Sequence, residues 1–152
     1  MINGSDGMEY ILLFPVMIFL HIIDDFHLQG ILASMKQKSW WIDQIESMSA
    51  KLTKKSKEEY LNKYKYDWIP CLIAHAFQWS SIVMLPLLIY SWEFRDSFGG
   101  FYLILMTINS AIHAFIDHLK CNSLVINLVT DQIVHLLQIV ITWLIWGIAT
   151  NS

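Results

Sequence analysis

Four long apolar blocks organise this chain, and the polar residues inside them recur at helical spacing. A helix that crosses a bilayer needs about 20 mainly apolar residues. Such blocks lie at about 8–28, 69–92, 99–119 and 124–149. Pro15 predicts a kink in the first, Pro70 falls in the first turn of the second, and Pro86 lies inside it. The connections at 93–98 and 120–123 are short, which makes successive helices antiparallel neighbours. The pattern predicts an all-α fold, a four-helix transmembrane bundle forming one integral-membrane domain over 1–152.

The connection at 31–66 has a different character. It holds Lys36, Lys38, Lys51, Lys54, Lys55, Lys57, Lys63 and Lys65, eight of the ten basic residues, and so fixes the orientation of everything else. Trp41, Ile45, Met48 and Leu52 share one helical stripe. Ser56 with Glu59 fits a capping box ahead of a second short helix bearing Tyr60, Leu61 and Tyr64. The expectation is a basic amphipathic helical hairpin, either lying on the bilayer surface or folded over the bundle as a solvated pair. Its lysines offer a surface for anionic lipid or a protein partner. The positive-inside rule assigns this loop and Lys120 to the cytoplasm and both termini to the outside, as in a bacterial inner membrane. The segment with Glu93, Arg95 and Asp96 then faces outward, as do Asp6 and Glu9.

Composition supports a membrane reading. The chain is 55% hydrophobic and 15% charged, with a mean hydropathy of +0.45, whereas a soluble domain carries about 25% charged residues. The net charge of −3 and the absence of a basic face with interleaved aromatics argue against nucleic acid. The stretch Met1–Glu9 lacks a basic n-region, and the apolar run continues into Asp24 and Asp25, so the first block reads as a retained span. Cys71 and Cys121 form no CxxC motif and read as packing residues. Trp40, Trp41, Trp68 and Trp92 fit interfacial anchoring. The oligomeric state stays open, a homo-oligomer included.

The chemistry lies in the exceptions to the apolar pattern. His21/Asp25, His113/Asp117 and Asp131/His135 are each four residues apart and share a helix face. His75 lies one to two turns into the second block. With antiparallel helices, all seven groups arrive at one level, toward the lysine-rich side. Ionisable groups inside a span cost about 2.5–3.5 kcal/mol each on insertion scales and mark a site by default. Imidazole and carboxylate from facing helices suit zinc, manganese or iron. The expected ligands are His21, Asp25, His113, Asp117, Asp131 and His135 around one or two zinc-like ions. His75 is expected as a ligand or acid/base, and Asp117 in the catalytic set. Asp24, turned about 100° from Asp25, is expected to be secondary. His27 and His118 are expected to be wet, Gln29 and Gln132 to orient ligands, and Lys120 to bind an anionic headgroup or serve as a topology signal.

The ordered set His21-x-x-x-Asp25-Phe26-x-Leu28-Gln29, His75, His113-x-x-x-Asp117-x-x-Lys120 and Asp131-Gln132-x-x-His135 resembles a family of small bacterial and phage polytopic membrane proteins classed as a domain of unknown function. The resemblance covers most of the chain, least of all the basic insert, and implies a membrane protein with no established activity. A looser likeness is to ceramidase-like intramembrane metal hydrolases, which also collect His and Asp from several spans. This chain has fewer helices and no clear catalytic serine. The expected function is a metal-dependent hydrolase acting on a lipid headgroup or another membrane-associated substrate. The alternatives are a non-enzymatic effector held together by a buried His/Asp network, and a proton or ion pathway.

Overall fold

The computed structural model describes residues 4–48, 53–94 and 99–151. Lys51, Leu52, Arg95 and Asp96 lie outside the described residues, as do the side chains of Asp6 and Glu93. The described chain is helical, with no strand: α1 (Gly4–Ile23), a π-helical turn (Asp24–Leu28), α2 (Leu32–Met35), α3 (Lys38–Met48), α4 (Lys54–Lys63), α5 (Trp68–Phe94), α6 (Gly99–Cys121) and α7 (Leu128–Asn151). Four helices are long and apolar enough to cross a membrane. They are α1 with its π extension, α5, α6 and α7.

The boundaries have local causes. Gly30 adopts a left-handed φ of 51° and ends the first helical segment. The fourth long helix begins at Leu128 and not at 124. Leu124 is left-handed (φ 55°), and Asn127 caps α7 by accepting the Thr130 N–H at 2.9 Å. The apolar run 124–126 therefore belongs to the loop. In α4, Thr53 and not Ser56 is the cap, and its side chain accepts the Ser56 N–H at 3.3 Å. Trp41 of α3 stacks on Tyr64 beyond α4, with ring centroids 6.3 Å apart.

Each long helix buries one continuous stripe. In α6 it is Tyr102, Leu105, Asn109, His113 and Asp117, a spacing of three and four that keeps one face inward. In α5 the stripe runs His75, Trp79, Val83, Leu87, and in α7 it runs Asp131, His135, Gln138, Thr142, Trp146. The stripes are aliphatic and aromatic at the end away from the lysine-rich segment, where Met17, Val83, Met84, Leu87, Tyr102, Ile139 and Trp146 form the core. They turn polar toward the other end, so the core and the polar layer are consecutive parts of the same faces.

Where α1 meets α7, Tyr10 stacks on Trp143 at 5.1 Å between centroids, and its hydroxyl donates to the Trp143 carbonyl. Gly147 permits this approach, because a Cβ there would overlap the Tyr10 ring. Gly147→Ala should lower stability by about 1–3 kcal/mol, the usual cost of overpacking. Thermal unfolding in detergent measures it, and adding Tyr10→Ala should recover part of the loss.

Candidate metal centre

Asp117 is the hub. It lies on α6, with only 2% of its side chain exposed. His75 Nε2 approaches its Oδ2 at 3.1 Å and His113 Nε2 at 3.6 Å, while the two imidazole nitrogens are 3.1 Å from each other. Three atoms from α5 and α6 thus form a triangle with edges of 3.1, 3.1 and 3.6 Å. In a tetrahedral shell with metal–ligand bonds of about 2.0–2.1 Å, ligand atoms stand about 3.3 Å apart. The other oxygen of Asp117 faces α7, where His135 Nε2 lies 3.8 Å from it and 3.3 Å from Asp131 Oδ1. Neither His135 Nε2 nor Asp131 Oδ1 makes a hydrogen bond, and both are buried. A nitrogen and an oxygen that converge without hydrogen bonding, away from water, are in an arrangement suited to a shared cation.

Ligand atoms of Asp25, His75 and His113, and separately of His113, Asp117 and His135, lie within 4.8 Å of one another, so this buried His/Asp group could hold a metal ion. His75, His113 and His135 are fully buried. The His113 ring packs against both Trp79 (centroids 4.2 Å apart) and His135 (4.1 Å), and these two rings also meet each other at 5.5 Å, so the three form a compact ring cluster that fixes the plane of His113.

A hydrogen-bonded chain orients the layer. The Trp79 indole donates to His21 Nδ1 at 2.9 Å, which leaves His21 Nε2 as the protonated nitrogen facing Gln132 Oε1 at 3.2 Å. The Gln132 amide then donates to Asp25 Oδ2 at 2.7 Å and to Asp131 Oδ2 at 3.2 Å. Gln29 donates to Asp25 Oδ1 at 2.8 Å. His21 is therefore in the cluster with both nitrogens committed, and it acts by holding Gln132 and Asp25.

Several expectations need correction. Asp24 stands outside the groups that could hold a metal ion, as expected of a secondary residue, yet it is fully buried and accepts from Gln78 at 2.8 Å. The π turn closes i to i+5 bonds, so consecutive residues diverge less in angle than in an α-helix, and Asp24 and Asp25 both face the bundle. Lys120 is not free for a headgroup, because it donates to Asp131 Oδ2 at 2.6 Å. His118 is half-buried, stacked on Trp68 at 5.3 Å, whereas His27 is exposed as expected.

Lys36 is the largest departure. Composition assigns it to a basic surface segment, yet it is 4% exposed and donates to Asp117 Oδ2 at 2.6 Å and to Gln29 at 3.3 Å. Asn122 pins the strap that carries it: the Lys38 N–H donates to Asn122 Oδ1 at 2.7 Å, and the Asn122 amide donates to the Lys36 carbonyl at 3.1 Å. Trp79, Gln78 and Asn122 were likewise not singled out as site residues from sequence. With Lys36 and Lys120 placed, four carboxylates (Asp24, Asp25, Asp117, Asp131) face two ammonium groups. Counted as ionised, the layer keeps two negative charges in excess, the charge that one divalent cation neutralises.

No model of a protein family, no curated protein and no solved structure matches this chain.

Removing one partner of a buried ion pair costs about 3–5 kcal/mol. Lys36→Met should destabilise the protein by about that amount in chelator, and by less in buffered zinc, where a divalent ion replaces the lost charge on Asp117. Lys57→Met, at the exposed pair with Glu46, should change stability by less than about 1 kcal/mol. Paired thermal melts with and without zinc measure both.

Proposed function

We propose that this protein is a metal-dependent hydrolase embedded in the bacterial inner membrane, acting near the cytoplasmic face on a lipid headgroup or another membrane-associated substrate. In this reading His75, His113 and Asp117 would hold one zinc-like ion, with Asp25 within reach, and His135, Asp131 and Asp117 would hold a second. The observation that carries the reading is the Asp117 triangle, with edges of 3.1–3.6 Å, together with the unbonded His135 and Asp131 atoms beside it.

Ions so held would supply Lewis-acid polarisation of a carbonyl or phosphoryl oxygen and an acidified water. The residues supply the rest. Trp79 and His135 fix the plane of His113. Gln132 and Gln29 orient Asp25, and the apolar walls raise the strength of every charge interaction inside. Lys36, buried under its strap, would stand as a fixed positive group beside Asp117. The lysine-rich segment, cytoplasmic in this reading, would gain about 1 kcal/mol per lysine from anionic lipid. The motif likeness to small bacterial and phage membrane proteins belongs to the same proposal.

The two Lys–Asp contacts of 2.6 Å favour a second reading, a non-enzymatic bundle bolted together by ion pairs. Metal analysis separates the two. Purified protein, stripped and reloaded with zinc, should hold one or two ions per chain, and Asp117→Asn should lose most of them while Asp24→Asn keeps them. A protein that retains no transition metal after stripping and soaking belongs to the second reading, and chelator should then leave its melting temperature unchanged.

A further inference from the structure

The His/Asp layer is enclosed on every side. His75, His113, Asp131 and His135 have no exposed surface, and Asp117 keeps 2%. Whatever exchanges with the layer, whether a proton, a water or an ion, needs a wall to move. Most of the enclosure is made by α1, α5, α6 and α7. Their inward faces continue into the apolar core around Met17, Trp79, Leu87 and Trp146, so parting two of these helices at the layer also pulls on that core.

The remaining wall is the strap at 30–37, and it is held differently. Its short helix α2 has no buried residue, and Lys36 is the one buried side chain of the whole strap. No fully buried apolar side chain anchors it. What holds it is polar. Lys36 Nζ donates to Asp117 Oδ2 at 2.6 Å and to Gln29 Oε1 at 3.3 Å. Asn122 grips the backbone on both sides of Gln37, accepting from the Lys38 N–H at 2.7 Å and donating to the Lys36 carbonyl at 3.1 Å. The Trp41 indole donates to the Met35 carbonyl at 2.8 Å. Asn122 and Trp41 are only half-buried, so water can take over their backbone partners as the strap lifts. Segments with few buried apolar contacts and solvent-facing backbone hydrogen bonds are the ones that open locally, well short of global unfolding.

Both ends of the strap allow that movement. Gly30 sits at a φ of 51°, and a Cβ added there would meet nothing nearer than the Leu28 carbonyl at 4.0 Å. A glycine with open space around it is a place where the chain turns without collision. At the other end a bend at Gln37 separates α2 from α3. Lys36 links the strap to the layer, because the ammonium that closes the layer is also the strap's one deep contact. Lifting the strap withdraws that group and uncovers Asp117.

We propose that 30–37 is a lid, pivoting at Gly30 and Gln37 and latched by Asn122, through which the Asp117 layer communicates with the lysine-rich side of the protein. It rests on the metal-centre reading for its use, as the path by which an ion enters, and closure returns Lys36 to Asp117.

Histidine labelling of the full-length protein in detergent tests it. Diethyl pyrocarbonate carbethoxylates the imidazoles it can reach, and His27, which is exposed, serves as internal standard. Asn122→Ala removes two hydrogen bonds and should raise labelling of His75 and His113 relative to His27 by about tenfold. Amide hydrogen exchange along α6 and α7 should stay as slow as in the unaltered protein, and zinc uptake should quicken with the same number of ions bound. Unchanged labelling in Asn122→Ala overturns the lid. So does a rise matched by faster exchange throughout α6 and α7, which makes the opening global unfolding. Zinc uptake at the original rate in a variant whose histidines label faster gives the ion another route and also overturns it. The unaltered protein supplies a measurement that no folding defect can spoil: its His113 should be labelled faster than the core amides of α6 and α7 exchange, and labelling no faster than that exchange overturns the lid. If neither protein binds zinc, the metal reading falls while the histidine labelling still decides the lid, so the two fail separately.

Discussion

A carboxylate cannot sit unpaired in the middle of an apolar helix bundle, and the arrangement of this protein around Asp117 follows from that constraint. Desolvating the ion costs several kcal/mol even after relaxation, so its neighbours must return that energy through charge and hydrogen bonding. They come from different parts of the chain: His75 from α5, His113 from α6 itself, His135 from α7 and Lys36 from the strap after the π turn. Each of these groups would be costly at its depth without Asp117, so the cluster is a mutual condition. The depth and register of the three helices are tied to one another through it.

The same faces that bury Asp117 also build the apolar core, which explains how so small a bundle holds its polar layer to shape. Trp79 belongs to both. It packs with Met17, Val83 and Leu87 in the core, stacks on His113, and hands its indole proton to His21. A rotation of α5 that moved the core would move His75 and Trp79 together. The hydrogen-bonded chain from Trp79 through His21 and Gln132 to Asp25 and Asp131 carries the same constraint into α1 and α7. Polar positions held in this way are preorganised by packing, which is what metal ligands and catalytic groups require.

The parts of this design legible in the sequence are those that helical periodicity controls. Four-residue spacing puts His113 with Asp117 and Asp131 with His135 on single faces, and antiparallel connection brings the pairs to one level. Both follow from 3.6 residues per turn before any tertiary contact is known. What periodicity does not control was not legible. Lys36 is one of eight lysines in a basic segment, and nothing local separates it from Lys38, which is exposed. Only the Asn122 latch, more than eighty positions away in sequence, turns its ammonium inward. The full burial of Asp24 was not legible because an α-helical angle was applied to a π turn, and the start of α7 because three apolar loop residues continue the hydrophobic run up to the Asn127 cap. Trp79 reads as an ordinary core aromatic, and its indole bond to His21 is a tertiary fact.

An ion-pair bolt and a metal centre make different demands on the leftover atoms. If the layer existed to stabilise the bundle, well-packed aliphatic residues would serve as well or better, since replacing buried ion pairs by apolar groups is often neutral or stabilising. With the histidines neutral, two lysines for four carboxylates also leave excess negative charge where the dielectric is lowest. The nitrogen of His135 and the oxygen of Asp131 lie 3.3 Å apart, both buried, a spacing that also suits two corners of a coordination shell. The lysines complete the logic. By neutralising Asp117 and Asp131 in part, they keep the folded bundle tolerable without a cation, and in the proposed reading they would stand as fixed positive groups beside one.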